Sequence, residues 1–269
     1  MYIDPITSVQ NPKIKDLTVL QSKSKERRTR GLFVVEGKRE FERSILGGYI
    51  AENIFFCENY ISVSEIEKLL EHSTNPPGSI YSVSKQVYEK IAYRESSEGI
   101  VAVLHEKRHT LDDIVLSDNP LVLVLESVEK PGNLGAVLRT ADAAGIDAVI
   151  ICDPLTDVYN PNLIRASVGG VFTVQTAVCT SLEALHWLNS RNISIYTAQL
   201  QDSELYYDTD MASPTAIVFG TEDTGLSQLW REHSDRRIRI PMSGILDSLN
   251  VSVSAAILCF EAVRQRNSK

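Results

Sequence analysis

Residues 121–145, LVLVLESVEKPGNLGAVLRTADAAG, constrain this chain most. A dense apolar run enters a glycine-bearing turn, and a helical pattern follows. A strand with no polar alternation is buried on both faces, which calls for a parallel sheet between layers of helices. The same strand–helix alternation continues to the C-terminus. Strands are predicted at 121–126, 147–153, 171–177, 193–199, 216–220 and 237–241, and helices at 134–144, 160–168, 182–190, 226–232 and 250–266. The expected fold class is therefore α/β, with a mostly parallel sheet covered on both faces.

The N-terminal third alternates as well. A helix is predicted near 11–22, then a strand at 32–37, a helix at 38–48 closed by Gly47 and Gly48, and a strand at 50–58. A helix starting at a serine cap (64–73), a strand (80–84), a helix (84–93) and a strand (99–106) complete a small α/β domain. The stretch 106–120 is polar and ends in Pro120, as a linker would. The expected division is a domain at 1–106, a linker at 107–119 and a second domain at 120–269, and 269 residues suffice for two domains.

The N-terminus lacks a basic region followed by an apolar core, and no apolar run approaches the roughly 20 residues of a membrane span. Cys57, Cys152, Cys179 and Cys259 are scattered without a C-x-x-C pair, and the five histidines are dispersed. The expectation is a cytoplasmic protein with reduced thiols, no metal site and no membrane contact. A net charge of −8 argues against indiscriminate nucleic-acid binding by the whole surface. Residues 13–43 are the exception, with ten basic and five acidic side chains. A charged run is often only a solvated face. In KSKERRTR, however, serine and threonine stand between the cations, a composition suited to phosphate contacts.

Ligands of open parallel sheets sit outside the carboxyl ends of the strands. Three such ends carry polar or glycine-rich loops. The first is KPGNLGAVLRTADAAG (130–145), which matches neither the dinucleotide glycine fingerprint nor a P-loop. Asn133 there can cap the following helix. Leu134, Val137, Leu138 and Ala141 would face the core, with Arg139 near the edge of that face. Asp153, about 20 residues on, leaves a Rossmann reading open. The second loop is IVFGTEDTGLS (217–227), where Gly220 and Gly225 allow backbone to approach a ligand closely. The third is IPMSGILDSLNVSVSAAI (240–257), where Ser248 or Asn250 can cap a long helix whose buried stripe is Val251, Ala255, Leu258 and Ala262.

Together and in this order, GNLGAVLRTADAAG, NLIRASVGGVF, IVFGTEDTGLS and IPMSGILDSLNVSVSAAI resemble the motifs of the SpoU (TrmH-like) family of RNA ribose 2′-O-methyltransferases, in the SPOUT superfamily. The resemblance covers about 120–266. NPKIKDLTVLQSKSKERRTRGLFVVEGKREFERSI resembles the family's N-terminal substrate-binding domain, a small α/β fold like an RNA-binding ribosomal protein. Two departures stand out: Lys130-Pro131-Gly132 where an acidic residue and proline are usual, and Ser254 where alanine is common.

The resemblance implies a deep trefoil knot in the C-terminal domain, S-adenosyl-L-methionine as cofactor, structured RNA as substrate (ribosomal before transfer RNA) and a homodimer joined through the knot and last helix. It implies cofactor contacts at Gly220, Thr221, Ile240, Ser248 and Leu249, and a catalytic set of Arg139, Asn133, Glu222, Ser248 and Asn250. RNA contacts are expected at Lys23, Lys25, Arg27, Arg28, Arg30 and Arg165. In the family's mechanism an arginine, here Arg139, takes the hydroxyl proton. Deprotonating an ordinary arginine at neutral pH costs roughly 7.5 kcal/mol, so a charged Arg139 that grips phosphate and stabilises the developing alkoxide is the better expectation. Two rivals remain: a knotted RNA-binding protein without catalysis, and a Rossmann dehydrogenase using Asp153.

Overall fold

The structure is a computed structural model that describes residues 2–93 and 98–268. The chain forms two compact units, Met1–Arg108 with Asp157–Thr173, and His109–Thr156 with Val174–Lys269.

The first unit contains β1 (Asp4–Ile6), α1 (Pro12–Ser22), α2 (Ser24–Arg30), β2 (Leu32–Glu36), α3 (Lys38–Leu46), β3 (Ala51–Phe56), α4 (Val63–Leu70), β4 (Ser79–Val83), α5 (Lys85–Ile91) and β5 (Ile100–His105). Its sheet runs β1-β4-β3-β5-β2. The first three neighbours are parallel, and β5 is antiparallel to both β3 and β2. One face packs Ile14, Leu17 and Leu20 of α1 and Val87 and Tyr88 of α5 against Phe55 and Tyr81. The later segment of this unit brings Tyr159 and Phe172 to stack on Phe33, at centroid distances of 4.1 and 5.9 Å.

Two local expectations are corrected here. Helix α4 is capped by Ser62, two residues earlier than expected, because Glu65 at its third position completes a reciprocal capping box with Ser62. The basic cluster is itself a helix, α2, ended by Gly31 in the left-handed region (φ 61°). Helical geometry turns Arg27 inward. Its guanidinium pairs with Asp157 at 2.6 Å and donates to the carbonyls of Leu20 and Gln21, leaving the residue 3% exposed. Arg27 therefore holds the unit together and is not placed to meet RNA.

The second unit runs through β6 (Leu121–Glu126), α6 (Pro131–Ala144) and β7 (Ala148–Cys152). The chain then contributes α7 (Pro161–Ala166) to the first unit and resumes with β8 (Thr176–Cys179), α8 (Ser181–Ser190), β9 (Ser194–Ala198), β10 (Glu204–Leu205), β11 (Thr215–Phe219), α9 (Gln228–Glu232), β12 (Arg236–Arg239) and α10 (Val251–Asn267). Every pairing in its seven-stranded sheet, β10-β12-β9-β11-β6-β7-β8, is parallel. The strand predicted at 171–177 is displaced. Val168 and Gly169 take positive φ (55° and 81°) and Gly170–Phe172 forms a 3-10 turn, so β8 starts only at Thr176. The apolar pair Val171-Phe172, which reads as strand, is buried in the first unit instead.

Val122, Val124, Ile150, Ile195 and Val218 of the sheet pack with Leu185, Leu188 and Trp230. Helices α6 and α10 pack on one another, and the expected stripes are buried, Leu134, Val137, Leu138 and Ala141 on one, and Val251, Ala255, Leu258 and Ala262 on the other. Among the described residues no helix is long and apolar enough to cross a membrane.

Candidate functional site

The strand order places the site. After β6 the chain moves outward through β7 and β8, but β11 returns to pair with the other edge of β6, with Phe219 opposite Leu125. The carboxyl ends of β6 and β11 thus open side by side where the winding reverses, the position at which parallel sheets bind ligands. The loop leading into α6 and the loop after β11 meet there.

The loop after β11 is a tight backbone pairing. Thr221 and Gly225 exchange N–H···O bonds at 3.2 Å, and the Thr221 hydroxyl meets both the Thr224 amide (3.0 Å) and the Thr224 hydroxyl (2.8 Å). Gly220 has no alternative at its position, since a Cβ would lie 2.3 Å from the Gly225 carbonyl. This folding sends Glu222 toward α6 and α10. Its Oε1 accepts from Asn133 Nδ2 (2.6 Å) and Asn250 Nδ2 (2.9 Å), while Oε2 accepts from Lys130 Nζ. Asn250 Nδ2 also reaches Asn133 Oδ1 (3.1 Å). The ammonium of Lys130, and after it the Asn133 amide, hold the Glu222 carboxyl below the ordinary carboxylate range.

Asn133 is not a cap. Helix α6 starts earlier, at Pro131, and leaves Asn133 in its first turn with the side chain free to bind Glu222. Asn250 does cap α10: its Oδ1 accepts from the Ser252 amide (3.0 Å) and hydroxyl (2.6 Å), while its amide nitrogen serves the Glu222 cluster.

Two cavities flank this cluster and share Gly220–Thr224 and Val251 as a wall. The first, of about 340 Å³, lies between segments 198–201, 219–226 and 238–249; Gly220, Thr221, Ile240, Ser248 and Leu249 all line it. The second, of about 330 Å³, is lined by Ser127–Lys130, Asn133 and Leu155. Glu222 borders both.

The structure therefore gathers Asn133, Glu222 and Asn250, and not the other two expected catalytic residues. Among the described residues, the Ser248 side chain bonds only to Asp247 (3.3 Å), and Ser248 lines the first cavity. Arg139 is exposed on α6 and lines neither cavity. Among the expected RNA contacts other than Arg27, Lys23, Lys25 and Arg28 are exposed, Arg30 is held bidentately by Asp16 at 2.6 and 2.7 Å, and Arg165 lies over the Tyr93 ring at 5.1 Å. Asp153 is engaged at the start of α8, where its Oδ2 accepts from the Ser181 amide (3.0 Å) and hydroxyl (2.6 Å). Sequence reasoning missed Lys130 as part of the cluster, although its unusual place before Asn133 was the available signal. It also missed buried Glu126, which anchors the Ser227 amide (2.8 Å) and the Ser181 hydroxyl (3.2 Å) below the site.

Residues 120–260 match the SpoU rRNA Methylase family. This chain is a member of that family. Residues 11–102 match the MRM3-like substrate binding domain. Among SpoU relatives, the 23S rRNA (guanosine-2′-O-)-methyltransferase RlmB of Pectobacterium atrosepticum is 37% identical over 193 residues, covering 70% of this chain and 79% of the relative. The 23S rRNA (guanosine(2553)-2′-O)-methyltransferase RlmP of Bacillus subtilis is 29% identical over 95% of this chain and 97% of its own length. A crystal structure of an RNA 2′-O ribose methyltransferase shares 38% identity at a TM-score of 0.83, covering 98% of this chain and 99% of that one. The AdoMet-bound rRNA methyltransferase of Sinorhizobium meliloti shares 26% identity at a TM-score of 0.88, covering 97% and 98%.

Proposed function

We propose that this SpoU protein transfers a methyl group from S-adenosylmethionine to a ribose 2′-hydroxyl of structured RNA, breaking the methyl–sulfur bond to leave S-adenosylhomocysteine and releasing the hydroxyl proton to water, with ribosomal RNA as the substrate. The observation that carries this reading is the cavity pair divided by the Glu222 loop. The first cavity suits the cofactor. Its volume is within the range of small-molecule sites, Phe219, Leu226, Ile238 and Leu258 offer apolar walls, and the lining carries both signs of charge, Glu222, Asp223 and Asp247 with Arg231 and Arg239, which suits a ligand bearing a sulfonium, an amine and a carboxylate. Bound S-adenosylmethionine supplies a methyl group on a positively charged sulfur. Thr221, Ser248 and the backbone of Gly220, Ile240 and Leu249 would hold it.

The second cavity receives the ribose. Glu222 already accepts three hydrogen bonds and is held ionised, so it is a poor proton acceptor and acts by fixing Asn133 and Asn250. Those amides orient the hydroxyl towards the shared wall. Arg139, clear of both cavities, grips a phosphate of the target strand, a role that suits a permanent cation better than proton removal does. Lys23, Lys25 and Arg28 add phosphate contacts from residues 1–106, the RNA-holding domain, which 107–119 link to the transferase at 120–269.

The reading includes the family's trefoil knot, a cytoplasmic location and a homodimer. Support for the dimer is an exposed apolar strip at the end of the third loop and along α10: Leu246, Leu249, Val253 and Phe260. The ribosomal substrate is favoured by the named 23S rRNA enzymes among the relatives. Mapping 2′-O-methyl sites in ribosomal and transfer RNA from cells with and without the gene tests the reading. One ribosomal ribose should lose its methyl group; loss confined to transfer RNA would redirect the substrate, and no loss in either would reject the activity.

A further inference from the structure

Lys130 directly precedes helix α6, and it is the sole cation lining the second cavity among the described residues. Glu129, Glu222 and Asp223 line the same cavity. An anionic RNA strand entering it would meet three carboxylates. The Lys130 ammonium sits on one of them, the Glu222 Oε2 that Asn133 and Asn250 leave open. The other two carboxylates contribute more weakly to the field at Lys130. Lys130 is also the N-cap residue of α6, yet its side chain makes no capping bond and is 68% exposed, so the helix does not need it.

On the methyltransferase reading above, we propose that Lys130 is a positioning residue. It neutralises and orients Glu222, so that the Asn133–Glu222–Asn250 cluster presents a fixed, charge-compensated wall to the target ribose. Without Lys130 the Glu222 carboxylate keeps its two amide donors on Oε1 but loses the anchor on Oε2. It is then free to rotate, and its charge faces the incoming strand uncompensated. A phosphate-binding lysine would behave differently. Its loss would weaken RNA binding alone, whatever residue occupies position 222.

The test compares Lys130→Met, Lys130→Arg, Glu222→Gln and the double variant Lys130→Met/Glu222→Gln, using S-adenosylmethionine and unmethylated 23S ribosomal RNA. Because Lys130 is exposed, Lys130→Met should keep its S-adenosylmethionine affinity by calorimetry, which shows the variant is folded. Its kcat should fall on the order of tenfold, as loss of orientation does, while Lys130→Arg recovers to within about threefold. In the Glu222→Gln background, Lys130→Met should add less than about a twofold loss, since the two side chains act as one unit. A rise in KM for RNA with kcat unchanged, or equal losses in both backgrounds, overturns the assignment and leaves a phosphate contact. Wild-type activity together with an unaffected Lys130→Met overturns the assignment but not the activity. A wild-type protein that transfers no methyl group to RNA overturns both.

Discussion

The amide of Asn250 donates to Glu222 Oε1 at 2.9 Å while its carbonyl oxygen caps helix α10. One side chain thus fixes the start of the last helix and the carboxylate between the two cavities. The two jobs separate by mutation. Asn250→Ser keeps an N-cap and loses the amide donor, so its melting temperature should stay near wild type while kcat falls. Asn250→Ala loses both and should also be destabilised by about 1 kcal/mol. Thermal denaturation alongside steady-state kinetics checks the pair; equal stability loss in both variants would show that the cluster, not the cap, stabilises this end.

Gly220→Ala should disable the first cavity. The added Cβ meets backbone at 2.3 Å, so the Thr221–Gly225 turn must open. S-adenosylmethionine affinity is expected to drop more than about tenfold, or 1.4 kcal/mol, measured by calorimetry on the folded variant.

Arg139→Ala should lower kcat on the order of 100-fold, the loss that misplacing a bound reacting group can cause. The exposed position predicts unchanged thermal stability. Near-normal turnover with cofactor binding intact would remove Arg139 from the mechanism.

The basic cluster should divide into two classes. Arg27→Met leaves the Asp157 carboxylate buried without its cation, and is expected to cost about 3–5 kcal/mol of stability. Lys23→Ala, Lys25→Ala and Arg28→Ala should leave stability unchanged and weaken RNA binding. Each lost phosphate contact should flatten the salt dependence of log affinity by about 0.7–0.9.

Glu222 predicts a pH signature. Its carboxyl is held below the ordinary value in the folded protein, chiefly by Lys130. Stability from this ionised group is therefore fully present above the ordinary carboxylate pKa and is lost as pH falls through the lowered one. Melting curves of wild type and Glu222→Gln should differ most at neutral pH and converge as pH falls below the ordinary carboxylate range; a gap constant with pH would contradict the assignment.

Much of the fold was legible because burial on both sheet faces leaves unbroken apolar runs, as in Leu121–Leu125 and Ala148–Cys152. The stripes of α6 and α10 were legible for the same reason. Strand order was not, since nothing local tells β11 to insert between β9 and β6. At the site, Asn133, Glu222 and Asn250 were named through their motifs. That they share one carboxylate depends on three segments more than 25 residues apart in sequence meeting at a strand end. Arg27 was misread because charge composition cannot tell which face of a seven-residue helix turns inward. Val171-Phe172 was misread because an apolar pair reports burial without saying in which core.

The first unit is assembled from two separate stretches, since Asp157–Thr173 belongs to it although its sequence falls inside the SpoU match. Modular exchange of the substrate-binding part is therefore not a single cut and splice near residue 108. A chimera with a foreign N-terminal domain must import a matching replacement for 157–173, or Tyr159, Ile164 and Phe172 will present an orphaned apolar surface to the new neighbour. The two stretches should be inherited, and should diverge, as one piece.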